Sequence, residues 1–190
     1  MLTFFEHCNT PWSTAINGLY TLNSLSLKHV SIRQAAIADT WAISTVLIEA
    51  TQWLREQNIP IWSPAMFTIA RVKNDISEHR YYVAEDAGSV VGTFRFQLTD
   101  REIWPEVPDL DSAFIHRLAV LRSHAGCGVA QQMILYAKQL TQQAERQFLR
   151  LDCAADQPKL RKIYEDADFV WCDDINVGPH LVARYEWENR

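Results

Sequence analysis

A strand-like segment that runs into a glycine-containing loop and then into a long amphipathic helix constrains this fold more than any other feature. The strand ends at Leu118–Val120, and the loop Ala125–Ala130 contains Gly126 and Gly128. A loop at the start of a helix presents backbone N–H groups at the positive end of the helix dipole and binds anions without a basic side chain. The sequence therefore predicts a pyrophosphate-binding loop. Because many strand–helix turns contain two glycines, this prediction depends on the segments that follow.

Apolar positions after the loop repeat with helical spacing. Val129, Met133, Tyr136, Leu140 and Ala144 are separated by four, three, four and four residues, which places them on one core-facing side of a helix. The remaining C-terminal segments predict a strand at 148–153, a helix from Pro158 that carries Tyr164, and closing strands at about 169–177 and 181–188.

The N-terminal half changes from helical to strand periodicity near residue 80. Asp39 is a candidate N-cap, and Ser63-Pro64 is a second helix start with proline at the first helical position. The predicted elements are a strand at 29–34, a helix after Asp39, a helix after Ser63, and a hairpin of strands at 81–85 and 90–98.

This order of elements predicts a fold that combines helices and strands (α/β in the broad sense, with the mixed sheet of an α+β protein). The sheet is mostly antiparallel and has helices on both faces. No repeat, low-complexity tract or linker interrupts residues 28–190. We therefore expect one domain over 28–190, preceded by an N-terminal extension, residues 1–27, whose order the sequence does not indicate.

Composition excludes several classes of function. The net charge of −5 over 190 residues argues against a nucleic-acid partner and mildly favours a cationic ligand. The four cysteines form no Cys-x-x-Cys pair, which argues against zinc and favours free thiols in a reducing cytosol. No Lys or Arg precedes Lys28, and the N-terminus has no clean apolar run, so we expect neither a secretory signal nor a membrane span. The expected location is cytoplasmic.

Two other phosphate-binding folds do not fit. A P-loop ends in Gly-Lys-Ser/Thr, whereas the corresponding residues here are Gly128-Val129-Ala130. A dinucleotide-binding Rossmann domain places its glycine loop after an early strand of a repeated βαβ series. In this chain the loop lies past the midpoint and follows strands predicted to be antiparallel.

From Lys28 onward the sequence resembles the GNAT superfamily of N-acetyltransferases, and the loop is the first of three matching segments. The family's acyl-CoA loop reads Arg/Gln-x-x-Gly-x-Gly/Ala; Gly128 and Ala130 occupy its last two positions, and Gly126 is a common extra glycine. Ala125 stands where the family usually has Arg or Gln, which removes one side-chain phosphate contact and leaves the backbone contacts. The resemblance implies that the cofactor's phosphates bind at Ala125, Gly126, Cys127, Gly128, Val129 and Ala130.

The second matching segment is Ile115–Val120, which resembles family segments that end in Leu-x-Val just before the loop. In relatives this strand separates from the next strand, and its main chain binds the pantetheine arm of the cofactor in the gap. The resemblance implies this role for the backbone of Leu118 and Val120. It also implies that the sheet contains a parallel, splayed strand pair.

The third matching segment begins with Leu149–Cys153 and continues from Gln157 to Phe169. Tyr164, Glu165 and Phe169 match the family pattern Asn-x-x-Ala-x-x-Leu/Phe-Tyr-Glu-x-x-Gly-Phe. Gln157 replaces the asparagine that often contacts the cofactor, Leu160 replaces the alanine, and Asp168 replaces the glycine.

Two residues are catalytic candidates. In similar enzymes a tyrosine at the position of Tyr164 donates a proton to the leaving thiolate, which suits a phenol of pKa about 10; the alternative is a tyrosine that fills the core beside Ile163. An imidazole at the position of His116 suits a base that accepts a proton from an ammonium. The alternative for His116 is a hydrogen-bonded core histidine.

Other charged residues near these segments are also candidates for the site. Glu106, Asp109 and Asp111 either attract an ammonium group or belong to a solvated acidic loop. Arg117 and Arg122 are candidates to reach a phosphate in place of the missing basic residue at 125.

The resemblance implies an enzyme that moves an acetyl group from acetyl-CoA to a primary amine by direct attack in a ternary complex, with no metal. The acceptor is a small-molecule or peptide amine, and the resemblance is compatible with a homodimer. The alternative is a non-catalytic module that binds and senses acyl-CoA, which the departures at Ala125, Gln157 and Asp168 favour. Retention of Tyr164 favours the enzyme.

Overall fold

A sheet of seven strands forms the centre of the computed structural model, which describes residues 29–59, 61–108 and 110–190. The predicted extension at 1–27 lies outside the described residues, as does Asp109. The strands are β1 (Ser31–Gln34), β2 (Tyr81–Asp86), β3 (Ser89–Gln97), β4 (Ser112–Val120), β5 (Phe148–Ala154), β6 (Val170–Val177) and β7 (His180–Glu188). The α-helices of the described residues are α1 (Thr40–Glu56), α2 (Ile69–Ser77), α3 (Val129–Gln143) and α4 (Pro158–Glu165).

The sheet has the strand order β1-β2-β3-β4-β5-β7-β6. Among the described strands, β4 and β5 are the parallel neighbours, and every other adjacent pair is antiparallel. The predicted mixed sheet is therefore confirmed, and its parallel pair lies in the middle. Within the described ranges, no helix combines the length and apolar composition that a bilayer span requires.

Helices cover both faces of the sheet, as the sequence predicts. On one face, which we call the α1/α2 face, Leu47 and Val72 pack with Tyr81 and Val83 of β2. On the opposite α3/α4 face, a second core joins both helices to the middle strands; its members include Met133, Ala137, Tyr164, Ile115, Leu151 and Tyr185. Within β4, Ile115 belongs to the core of the α3/α4 face, whereas Ala119 belongs to the core of the α1/α2 face.

The predicted start of the second helix at Ser63-Pro64 is wrong. Pro64–Phe67 forms a short 3₁₀ turn, after which the extended backbone of Thr68 interrupts the helix. The Thr68 hydroxyl then accepts the Arg71 N–H at 3.4 Å, so Thr68 is the N-cap of α2. The interruption buries Phe67 under α1, where its carbonyl accepts the Ser44 hydroxyl.

The predicted capping bond from Asp39 is also absent, although Asp39 does precede α1. Its carboxylate instead accepts two bonds from Arg33, at 2.7 and 2.9 Å, and one from the Ala36 N–H. The charged guanidinium is the stronger partner, and its hydrogen bonds lower the pKa of Asp39.

A β-bulge in β4 sets the direction of two polar side chains. Thr93 pairs with Ala119, but Arg95 pairs with His116, so two steps along β3 match three along β4. Arg117 supplies the extra residue, with a left-handed φ of 53°. Such a bulge turns consecutive side chains to the same side, and both His116 and Arg117 reach partners on the α1/α2 face.

Candidate active site

The parallel strands β4 and β5 separate part of the way along the sheet. Their pairing runs from Ser112 opposite Phe148 to Ile115 opposite Leu151 and then stops, although β4 continues to Val120. The Leu121 N–H donates to the Val91 carbonyl on the β3 side at 2.8 Å. Because backbone groups alternate in direction along a strand, those of Leu118 and Val120 point into the gap. This is the direction that the resemblance requires of them.

The loop after β4 exposes a set of backbone donors. Gly126 and Gly128 have φ of 76° and 79°, left-handed values that glycine adopts readily, and Gly128 is the N-cap of α3 without a side-chain bond. No acceptor among the described residues pairs with the backbone N–H groups of Gly126, Gly128, Val129 or Ala130. The loop therefore fits a diphosphate through its main chain.

Two of the predicted loop donors are already used. The Ala125 N–H donates to the Arg122 carbonyl, and the Cys127 N–H donates to the His124 carbonyl, both at 3.3 Å. These bonds shape the turn, so we assign Ala125 and Cys127 to holding the loop rather than to donating hydrogen bonds to phosphate. Their place in the cofactor site stays a prediction.

Neither nearby arginine supplies the missing basic contact. The Arg117 guanidinium donates to Asp75 at 2.9 Å on the α1/α2 face, whereas α3 and its loop pack on the opposite face. The Arg122 guanidinium lies over the Trp53 ring, 4.5 Å from its centroid. The candidate anion site in this loop therefore consists of backbone N–H groups.

Tyr164 lies in α4 and is buried beside the end of β5. Its ring packs edge-on to Phe169 at 6.2 Å and near Tyr185 at 6.3 Å. Burial raises the pKa of Tyr164, and the neighbouring Cys153 and Asp152 raise it further, so the phenol keeps its proton at neutral pH. No hydrogen bond joins its hydroxyl to any described residue, which leaves this donor available.

His116 lies between two carboxylates on the α1/α2 face. Its Nε2 is 3.3 Å from Asp100 Oδ2, and its Nδ1 is 3.6 Å from Asp152 Oδ1. Gln97 Nε2 also lies 3.0 Å from Nε2. Burial opposes the charged imidazole, but the bonds to Asp100 and Asp152 outweigh it and raise the pKa of His116.

Asp100 is held in its ionised form by its surroundings. Burial favours its neutral form, but the bond to His116 and the N–H groups of Ile103 and Glu102, each at 3.1 Å, lower its pKa. Asp100 Oδ2 is buried and meets no hydrogen-bond criterion with any described residue, so its ion-pair contact with His116 at 3.3 Å supplies its counter-charge.

Sequence reasoning missed Asp100, Asp152 and Gln97. Asp152 alternates with Leu151 and Cys153, so its position on the His116 face could have been found from strand period. Asp100 comes from the loop after β3, and no periodicity indicates that this loop folds back over β4.

Gln157 precedes α4 at the far side of the gap. It is half-buried and occupies the N-cap position without capping the helix. Its amide donates to Asp156 Oδ1 at 3.2 Å. The contact between Gln157 and the cofactor therefore stays a prediction.

The acidic loop is tied to the sheet by ion pairs. Glu106 accepts from Arg184 at 2.6 Å, and Asp111 accepts from Arg150 at 2.9 Å. These carboxylates therefore anchor the loop. Asp109, the third member of the predicted cluster, lies outside the described residues.

A gap between two parallel strands, beside a loop with free backbone N–H groups, is the arrangement expected of a thioester-dependent acyltransferase. Residues 47–169 match the model of the acetyltransferase (GNAT) family, and the chain belongs to this family. This confirms the resemblance and the expected enzyme class, an acetyl-CoA-dependent acyltransferase.

Individual relatives agree in both sequence and fold. The uncharacterized N-acetyltransferase YesJ of Bacillus subtilis strain 168 is 27% identical over 156 residues, which cover 79% of this chain and 87% of the relative. The crystal structure of a GNAT acetyltransferase from Listeria monocytogenes has a TM-score of 0.70 and 25% identity, covering 84% of this chain and 95% of that one. The PaiA N-acetyltransferase of Thermoplasma acidophilum, solved in complex with coenzyme A, has the same fold, with a TM-score of 0.66, 15% identity, and coverage of 84% and 99%.

Proposed function

We propose that this protein transfers the acetyl group of acetyl-CoA to a primary amine by direct attack within a ternary complex. The observation that carries the proposal is the gap beyond Ile115 and Leu151, where the backbone of Leu118 and Val120 has no partner strand. An extended amide-containing chain pairs with such an edge as a missing strand would. The pantetheine arm of coenzyme A has this chemistry.

The loop supports the same ligand at the end of the gap. The free N–H groups at Gly126, Gly128, Val129 and Ala130 suit a diphosphate. A relative of the same fold was solved with coenzyme A bound. The ligand supplies the acetyl thioester, and the loop and strand edge position it between the two faces of the sheet.

Tyr164 is proposed as the proton donor to the departing sulfur. Its hydroxyl has no partner among the described residues, and burial raises its pKa so that the donor remains protonated. A proton donor beside the sulfur interacts most strongly as negative charge develops on it, so it stabilises the transition state more than the bound thioester. This difference is what general acid catalysis requires.

His116 is proposed as the base on the acceptor side. Asp100 and Asp152 give this side a negative charge that attracts an ammonium group, the protonated form of the acceptor. The amine must lose a proton before it attacks, and a neutral imidazole accepts it. Asp100 and Asp152 orient the ring, so we assign them as positioning residues.

A coupled assay tests the proposal. Purified protein is incubated with acetyl-CoA and a panel of small-molecule and peptide amines, and free thiol is measured. We expect thiol release that depends on both protein and amine. A module that only senses acyl-CoA would bind the ligand in calorimetry and release no thiol with any amine, and an absence of binding at millimolar ligand would contradict both alternatives.

A further inference from the structure

Three arginines converge on one carboxylate beside the proposed acceptor site. Asp75 of α2 lies 2.9 Å from Arg117 Nη1, 3.6 Å from Arg80 Nη1 and 4.0 Å from Arg95 Nη2. Glu78 also pairs with Arg80. The cluster therefore contains three cations and two anions, and one positive charge is left over.

The surplus charge belongs to Arg95. Arg117 and Arg80 each have a closer carboxylate, whereas Arg95 reaches Asp75 only at 4.0 Å. No hydrogen bond joins the Arg95 side chain to any described residue, and its Nε is buried without a partner. Burial lowers the pKa of Arg95, which is the effect of removing a cation from water without full compensation. A buried donor of this kind fits a ligand that the apoprotein lacks.

Arg95 is also next to His116. The two residues are paired across β3 and β4, and both side chains point to the α1/α2 face. Side chains directly opposite in a sheet have Cβ atoms about 5 Å apart. Arg95 further lines an open cleft of about 750 Å³, whose wall includes Gln97 and Asp100. Gln97 and Asp100 both contact His116 Nε2, at 3.0 and 3.3 Å, so a small molecule in this cleft reaches Arg95 and two partners of His116.

We infer that the acceptor is a primary amine that carries an anionic group, a carboxylate or a phosphate, and that Arg95 binds this group. The inference rests on the proposed function and adds the substrate class to it. The ammonium lies beside Asp100 and Asp152, and the anion lies beside Arg95, so the two charges of the acceptor are separated by only a few bonds. Amino acids and amino phosphates have this form.

Calorimetry with matched ligands tests the inference independently of turnover. β-Alanine is compared with its amide, and phosphoethanolamine with ethanolamine, each titrated into the protein saturated with coenzyme A. A charge-assisted bond predicts binding of at least one anionic member about 10- to 100-fold tighter than its neutral partner. The pair that shows the preference identifies the anion as carboxylate or phosphate.

Variants assign the preference to Arg95. Arg95→Gln abolishes it, and Arg95→Lys restores part of it, since Lys keeps the charge but loses the planar fork. Lys73→Gln removes an exposed charge from α2 at a position two residues from Asp75, which does not share its helix face, and it leaves the preference intact. Melting temperatures of all variants show that each remains folded.

The outcomes separate the inference from the proposed function. Equal binding of both members of each pair, or a preference that survives in Arg95→Gln, overturns the inference. Thiol release by the wild-type protein with neutral amines then shows that the proposed function still holds. Arg95-dependent binding of an anionic amine that no assay converts overturns the proposed function and keeps the anion site.

Discussion

Ile115 and Leu151 form the last paired position of β4 and β5 before the two strands separate. Above this pair, the main chain of β4 faces the gap and leads directly into the loop at Gly126 and Gly128. Below it, both side chains are buried in the core under α3 and α4. The same pair thus lies at the boundary between the core and the proposed cofactor site.

Gly128→Val is expected to weaken binding of acetyl-CoA by about tenfold or more, because a branched side chain blocks approach of the phosphates to the backbone. It also strains a left-handed φ of 79°, which costs about 1–2 kcal/mol. Gly88→Val is the matched control: φ is 78°, and a Cβ there meets nothing within 4 Å. Calorimetry should show normal affinity for Gly88→Val, and equal losses in both variants would refute the loop's role.

Tyr164→Phe is expected to reduce kcat about 100-fold with acetyl-CoA affinity within about twofold. Its stability should hardly change, since the hydroxyl has no partner among the described residues to leave unpaired. Tyr185→Phe provides the contrast, because its hydroxyl accepts from Arg161 at 2.7 Å and donates to Glu165 at 2.8 Å. That variant should lose about 1–2 kcal/mol of stability and retain kcat. A Tyr164→Phe enzyme with full kcat would remove Tyr164 from its role.

The raised pKa of His116 predicts a pH-dependent stability. The imidazolium is favoured in the folded state, so its contribution is complete below the ordinary pKa of about 6.5 and is lost as pH rises through the folded-state value. Urea unfolding from pH 5 to 9 should show wild type and His116→Gln converging in free energy of unfolding above pH 6.5. A gap that is constant across this range would show that folding does not shift the pKa of His116.

The same group predicts the pH profile of turnover. As a base, His116 must first lose its proton, so kcat/KM should rise with pH and bend at a pKa above about 6.5. In His116→Gln this bend should disappear. An unchanged bend would assign the titration to another group.

Arg184→Gln is expected to lower stability by about 2 kcal/mol. Arg184 makes two bonds of 2.6 Å to Asp173, donates to the Ile103 carbonyl at 3.0 Å and lies 4.3 Å from the Trp104 ring centroid. Because the same loop carries Asp100, the pKa of His116 should also fall toward its ordinary value. Arg190→Gln, which removes only an exposed pair with Glu188, should change neither quantity. NMR titration of the histidine ring and urea unfolding measure the two effects.

Asp168 explains one departure from the family pattern. It has a φ of 60°, the left-handed conformation that glycine adopts without strain, and its exposed carboxylate lies 3.7 Å from Lys138 Nζ. Asp168→Gly should raise the free energy of unfolding by up to about 1 kcal/mol, whereas Asp168→Val should lower it by about 1–2 kcal/mol. Equal melting temperatures for the two variants would contradict this account.

The spacing of apolar residues and the residue types at turns and helix starts were enough to predict most of the fold. The alternation of Phe94 and Phe96 with Arg95 and Gln97 places the correct side chains on each face of β3. The helix after the loop begins at Val129 with Gly128 as its cap, as the glycine pattern indicates. These features depend on local sequence, which is why they could be predicted.

The acceptor side could not be predicted, because it depends on contacts between distant segments. Nothing in Ile115–Val120 indicates that Arg117 is an extra residue, and without that bulge His116 and Arg117 would lie on opposite faces. Likewise, Asp100 reaches His116 only because Arg184 and Arg150 hold the intervening loop against the sheet.

Amide hydrogen exchange with and without coenzyme A tests the central claim most directly. The account predicts slower exchange on binding at Leu118 and Val120, whose N–H groups face the gap, and at Gly126, Gly128, Val129 and Ala130 in the loop. Exchange at Ser112–Ile115, which are paired with β5, should not change. Saturating coenzyme A that protects neither the strand edge nor the loop would contradict the account.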